Sequence, residues 1–325
     1  SVKAIGWFIE EYGVAQISMN LTNINITPLH IAFDEVCKKA TERGIRVTGS
    51  ELVGLVPLKS LLDAGRYFLQ KQQRSTGVSE KELIKIAIKT MGLDELGPFK
   101  SEERIIEYLL KDKADSKLVS MTLSDFADET ASESPAPGGG SISAYVGALG
   151  ISLATMVANL SSHKKGWDAR WEEFSVWAEK GQKIKDELTK LVDLDTAAFN
   201  KIMTAFSLPK GTDEEKAARK QAIQDATKFA IEVPFKVMQL SYESLAIIKA
   251  MAEVGNPNSV SDAGVGALCA RSAVMGAFMN VRINASGYDD KTFVTDIIAK
   301  GKDIENKTIA LEADILKIVN EKIGV

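Results

Sequence analysis

This 325-residue chain predicts an α+β N-terminal subdomain of the ferredoxin-like sandwich type, followed by an all-α helical bundle. Three observations carry that expectation. Period-two apolar patterning occurs in the first third and stops after Lys117. The stretch Lys111–Lys117 is charged and non-periodic, as a linker is. Beyond it, Ser141–Ser162 and Asp262–Ser286 are dense in Gly, Ala and Ser, which suits helices whose backbones approach closely in a bundle centre or a subunit interface. Room for a flat ligand is the alternative reading of those small residues. The expected divisions are 1–110, a linker at 111–119, and 120–325.

In order along the chain, Ala4–Glu10 and Val14–Leu21 read as strands around a Glu11-Tyr12-Gly13 turn. Thr27 before Pro28 marks a helix start, with Thr as cap, and the helix should end at Gly44. Ile45–Leu55 reads as a third strand. Pro57 opens a helix carrying Leu58, Leu61, Leu62 and Phe68, and a shorter one should span about Ser79 to Met91. In the second part, helices are expected near 122–132, 141–162, 167–206, 213–253, 262–285 and 290–322. Pro234 should kink or split the fourth of these.

Composition narrows the function. The net charge of −4 offers no basic surplus for phosphates, so nucleic acid is not an expected partner. Cys37 and Cys269 are the two cysteines, and they lack metal-type spacing; a reduced, cytoplasmic setting is expected. His30 and His163 are the two histidines, too few for a His-rich metal site or a His-centred triad. The start at Ser1 shows no signal-peptide pattern. The uncharged Ser141–Ser162 run is long enough to cross a bilayer, yet its serines and Asn159 favour a buried helix, so no membrane partner is expected.

Three constellations carry candidate chemistry. Pro137-Gly138-Gly139-Gly140-Ser141 opens the uncharged helix; its glycines permit close approach to a bound group, and Ser141 is placed to cap the helix. The first-turn N–H groups make that end a candidate anion or ligand site. A flexible join before an ordinary helix start is the plainer reading. In Lys183–Met203 the apolar stripe Ile184, Leu188, Leu191, Phe199, Ile202 has one gap of eight, and Asp195 fills it. A desolvated carboxylate there has a raised pKa and suits proton transfer near neutral pH; a buried ion pair is the alternative. Asp193 lies about 200° round the helix, with the polar face. Asn280 and Asn284, one turn apart, share a face and offer the donors and acceptors that a heterocycle, or else a partner helix, would use.

These residues form an ordered set that resembles the formimidoyltransferase-cyclodeaminase family. Ile5-Gly6-Trp7-Phe8, Val14–Leu21, Gly49–Pro57 and Glu103–Leu109 resemble the C-terminal subdomain of glutamate formiminotransferase. Ala136–Ser141, Leu191–Asp195, Leu208-Pro209-Lys210, Gly255-Asn256, Ser261-Asp262 and Phe278–Asn284 are similar to formimidoyltetrahydrofolate cyclodeaminase. The resemblance implies a folate one-carbon enzyme of histidine degradation that converts 5-formiminotetrahydrofolate to 5,10-methenyltetrahydrofolate and ammonia. It implies Asp195 as the catalytic residue; Gly138, Gly139, Gly140, Ser141, Asn280 and Asn284 are expected to position the substrate. No metal or tightly bound cofactor is expected, and the partners implied are a folate, polyglutamylated or not, and further copies of the chain in a dimer or larger assembly. The family's transferase histidine belongs to an N-terminal subdomain that this sequence does not contain, so the transferase site is expected to be incomplete. A methenyltetrahydrofolate cyclohydrolase and a non-catalytic folate-binding or assembly module are the competing functions.

Overall fold

The computed structural model describes residues 1–110 and 117–324; most of the linker expected at 111–119 lies outside the described residues. The chain forms two compact units, Ser1–Asp112 and Lys113–Val325.

In the first unit, β1 (Val2–Ile9) and β2 (Val14–Leu21) pair as an antiparallel hairpin, in register from Val2 with Leu21 to Ile9 with Val14. Gly13 turns the chain at φ +63°, a conformation that favours glycine. Five helices follow: α1 (Leu29–Thr41), α2 (Leu58–Lys71), α3 (Glu80–Met91), α4 (Ser101–Arg104) and α5 (Ile106–Leu110). Leu61, Ala64, Phe68, Ile84, Ala87, Met91 and Ile105 make the core of this unit. The α2 and α3 backbones touch because residue 65 is glycine: a Cβ there would lie 2.8 Å from the Leu83 carbonyl carbon. Ser79 caps α3 through its hydroxyl, 3.3 Å from the Glu82 N–H, and Gly92 ends it at φ +62°.

Two expectations fail in this unit. Thr27 does not cap α1; Pro28 holds the cap position without a side-chain bond, while the Thr27 hydroxyl accepts from the chain's own N-terminus at 2.7 Å. Ile45–Leu55 is not a strand, and among the described residues the sheet has two strands, β1 and β2. Its alternating apolar side chains find no sheet to join. Val53 is 86% exposed, and pairing is reduced to one bridge between Val56 and Ile105. A strand pattern is half of a contact, and without a hydrogen-bonding neighbour it remains extended coil.

The second unit is helical, as the loss of period-two patterning predicts: α6 (Leu123–Ala131), α7 (Gly139–Ser162), α8 (Trp171–Ser207), α9 (Asp213–Val254), α10 (Val260–Ala285) and α11 (Lys291–Ile323). Thr212 and Glu215 form a capping box at the start of α9, each side chain meeting the other's backbone N–H. Ile151, Leu188, Ile231, Met238, Leu245, Ile248 and Ile315 are fully buried, each contributing about 1.5–3 kcal/mol by removal from water. Helices α7 and α10 are both long and apolar enough to cross a membrane by length and composition; in the unit they lie against each other and against α9. Their small residues are used for that packing. A Cβ at Gly150 would sit 2.9 Å from the Gly266 carbonyl oxygen, and one at Gly266 would sit 2.9 Å from that of Gly150. The two backbones therefore approach in a way that only glycine at both positions allows.

Pro234 does not split α9, which runs unbroken from Asp213 to Val254. Proline lacks the N–H that would reach the carbonyl of residue 230 four positions back. The Asn284 side chain of α10 supplies the missing donor: its Nδ2 gives a hydrogen bond to the Ala230 carbonyl at 2.7 Å. A neighbouring helix thus repairs the gap that the sequence alone presents as a break.

Candidate active site

The site forms where the start of α7 meets the middle of α8 and the last turns of α10. Gly138 is the cap residue of α7, extended at φ −101° and ψ −169°, with no side-chain cap bond; Gly139, Gly140 and Ser141 are the first three helical residues. Ser141 is therefore not the cap that the sequence suggests. The glycines serve space rather than left-handed geometry. A Cβ at Gly140 would fall on the Asp195 carboxylate, 2.5 Å from Cγ and 2.6 Å from Oδ2. One at Gly139 would lie 3.2 Å from the Asn280 Nδ2. Bare backbone at these positions lets α8 and α10 bring Asp195 and Asn280 against the helix end.

Asp195 lies on the α8 face that also carries the fully buried Leu188 and Val192. The predicted stripe holds at Leu188 and Leu191, which are buried, but not at Phe199, which is 36% exposed; Asp195 between them is half-buried. Burial pushes its carboxyl above the ordinary carboxylate range; hydrogen bonds from the Ser141 hydroxyl and the Ser141 backbone N–H pull the other way, because they favour the ionised form. The anion at the α7 N-terminus is thus supplied by the chain itself.

The Ser141 hydroxyl is completely buried. It lies 2.8 Å from the Val192 carbonyl, 3.2 Å from Asp195 Oδ2 and 3.3 Å from the Thr196 hydroxyl. Asn280 donates its Nδ2 to the Gly276 carbonyl at 2.9 Å, within its own helix, which leaves one amide hydrogen and the amide oxygen. Asn284 shares the Asn280 face of α10, but its Nδ2 is committed to Ala230 on α9. The structure therefore gathers Gly138–Ser141, Asp195 and Asn280, while Asn284 has a structural contact. Thr196 joins the cluster without any signal in the sequence; it is one small polar residue among many, and only the crossing of α7 over α8 puts its hydroxyl beside Ser141.

Asp193 faces away from Asp195 but does not sit idle among solvated side chains. Its Oδ1 accepts the Leu118 N–H at 2.7 Å and its Oδ2 the Val119 N–H at 3.3 Å, tying the start of the second unit to α8. The described residues contain no group of three or more His, Cys, Asp or Glu positioned to hold a metal ion.

A helical bundle with one desolvated carboxylate held at a glycine-lined helix start is equipped to move protons at a single point. Comparison with known proteins is specific. Residues 122–303 match the formiminotransferase-cyclodeaminase family and residues 1–111 match the formiminotransferase domain. The chain belongs to the formiminotransferase-cyclodeaminase family. It is 37% identical over 293 residues to formimidoyltransferase-cyclodeaminase of Mus musculus, covering 90% of this chain and 54% of that protein. It is 37% identical over 203 residues to methenyltetrahydrofolate cyclohydrolase of Methylorubrum extorquens, covering 62% of this chain and 98% of that protein. The crystal structure of formiminotetrahydrofolate cyclodeaminase from Thermotoga maritima is similar at a TM-score of 0.57 and 28% identity, over 63% of this chain and 99% of that one. The chain spans about half the length of the bifunctional relatives it matches.

Proposed function

We propose that this chain is a folate one-carbon cyclodeaminase that closes 5-formiminotetrahydrofolate to 5,10-methenyltetrahydrofolate and releases ammonia. The observation that carries the proposal is the desolvated Asp195 carboxylate at the Gly138–Ser141 helix start, with Asn280 beside it. In the reaction, N10 attacks the formimino carbon and must lose its proton; the nitrogen that leaves must gain one. A carboxylate with a raised pKa takes the first proton and returns one to the leaving amine, so the N10–C bond forms, the C–NH₂ bond breaks and ammonia departs. Folding the substrate so that N10 meets the carbon is a proximity effect, supplied by the groups around the helix start. Asp195 acts as acid and base, Asn280 and the Gly138–Gly140 backbone position the folate, and no metal or cofactor takes part. Ammonia release from 5-formiminotetrahydrofolate by the purified chain tests this. Release that stops in Asp195→Asn is the expected result; absence of release from the unaltered chain would overturn it.

A cyclohydrolase acting on methenyltetrahydrofolate is the second reading, favoured by the similarity to the Methylorubrum protein over almost that protein's whole length. Loss of methenyl absorbance without any ammonia-forming activity would select it. The exposed apolar side chains of the hairpin, Ile5, Trp7, Phe8 and Ile17, support a ferredoxin-like sandwich for the first part of the chain.

The setting proposed is cytoplasmic, and the assembly a dimer or larger. The uncharged α7 presents Ile142, Val146, Leu149, Leu153, Met156 and Leu160 at alternating steps of four and three, and Leu149, Met156 and Leu160 are exposed. Such a seam is what a second helix of the same kind would cover. A monodisperse monomer at micromolar concentration in solution scattering would contradict self-association.

A further inference from the structure

The Ser141 hydroxyl has one hydrogen and more neighbours than it can give that hydrogen to. The Val192 carbonyl at 2.8 Å and Asp195 Oδ2 at 3.2 Å both stand as acceptors, and the Thr196 hydroxyl at 3.3 Å is able to give or accept. A carbonyl oxygen only accepts, and an ionised carboxylate only accepts. If the hydrogen stays on Val192, Ser141 turns a lone pair toward Asp195. That is favourable when Asp195 carries a proton and repulsive when it is ionised. If the hydrogen turns to Asp195, the ionised carboxylate is served and the neutral acid is not.

We propose that Ser141 is the positioning residue that holds Asp195 in both of its protonation states, by turning its single hydroxyl hydrogen between the Val192 carbonyl and the Asp195 carboxylate. This deepens the reading of Asp195 as acid and base and rests on it. With Asp195 ionised, Ser141 donates to Oδ2, and the Thr196 hydroxyl donates to Ser141 Oγ. When Asp195 has taken the substrate's proton, its own O–H donates to Ser141 Oγ, and the Ser141 hydrogen swings back to Val192. The Ser141 O–H bond never breaks; only its direction changes. The Ser141 backbone N–H, by contrast, is a fixed donor and favours the carboxylate alone. Burial works against the carboxylate. Of the two groups of Ser141 that bond Asp195, the hydroxyl is the one able to follow the proton, as a residue that must act first as base and then as acid requires. No charged side chain of α7 complicates this, since residues 139–162 contain none, and Asp193 is taken up by Leu118 and Val119.

The full chain, labelled with carbonyl-¹³C valine and side-chain-carboxyl-¹³C aspartate, tests the proposal by NMR without substrate. The Val192 carbonyl shift should move with pH at the same midpoint as the Asp195 carboxyl, because ionisation draws the hydroxyl away from Val192. In Asp195→Asn the Val192 signal should be flat. In Ser141→Ala it should also be flat while Asp195 still titrates, and turnover should fall about tenfold to hundredfold, the size of a hydrogen bond to a charged group. A Val192 carbonyl that stays still through the Asp195 titration of the unaltered chain overturns the proposal, as does one that still moves in Asp195→Asn. If Ser141→Ala fails to fold, those two comparisons decide alone. Turnover of Asp195→Asn separately decides whether Asp195 is the acid and base at all.

Discussion

The bond from Asn284 to Ala230 across the gap left by Pro234 makes a prediction that separates structure from substrate binding. Asn284→Ala leaves the carbonyl of Ala230, a residue only 5% exposed, with neither a helical nor a side-chain donor. An unsatisfied buried acceptor costs about 1–3 kcal/mol. For a unit of this size about 2–4 °C of Tm accompanies each kcal/mol, so a fall of about 2–12 °C is expected. Pro234→Ala restores a backbone N–H in reach of the same carbonyl, and in that background Asn284→Ala should cost less than about 0.5 kcal/mol. The four proteins of the cycle are to be compared by urea unfolding followed by circular dichroism. A coupling of at least about 0.5 kcal/mol between positions 234 and 284 is the expected outcome, at or beyond the deviation from additivity that independent sites show. Equal costs of Asn284→Ala in both backgrounds would refute the repair argument. Turnover gives a second check: Asn284→Ala should retain its KM for folate at temperatures where it is folded, whereas Asn280→Ala should raise KM with little loss of stability, because its protein contact lies within one helix turn.

Three further outcomes follow from the site. Asp195→Asn should lower turnover by about 10² to 10⁴, the range of an acid–base residue; because the folded carboxyl is raised, the native state binds its proton more tightly than the unfolded state, so its stability contribution worsens as pH rises, and Asp195→Asn should be more stable than the unaltered chain near pH 7–8, with the advantage vanishing below about pH 4. Gly140→Ala places a methyl on the Asp195 carboxylate and should abolish turnover, while Gly138→Ala, whose nearest neighbour would be the Pro135 carbonyl oxygen at 3.8 Å, should keep it; equal activity of the two would remove the spatial argument for the glycines. Asp193→Asn turns an amide hydrogen toward one of the two N–H groups it now accepts and should loosen residues 118–119 by about 1–3 kcal/mol in hydrogen exchange, with far less loss of turnover than Asp195→Asn; unchanged protection at 118 and 119 would show that the clamp is idle.

The sequence by itself determined the helices of the second unit, because most are long and are separated by their own punctuation. Thr212 with Glu215 at the start of α9, and Gly324 at the end of α11, mark such boundaries through local chemistry. It also pointed to Asp195, since an acid in an apolar stripe conflicts with its surroundings within a single helix. What it could not determine lay between elements. Ile45–Leu55 has a strand's alternation but no strand to pair with, and alternation carries no information about neighbours. Asn280 and Asn284 look equivalent one turn apart; only the crossing of α9 against α10 gives the second to a proline-freed carbonyl and leaves the first beside the glycines. Asp193 read as solvated because helix periodicity cannot see a backbone segment 75 residues away in sequence. The triple glycine read as room for a bound group to approach, and the tertiary structure fills that room at Gly140 with a carboxylate from another helix of the same chain. Local pattern fixes what a residue is on its own element; what it touches is decided when helices from distant parts of the chain are brought within a few ångströms of each other.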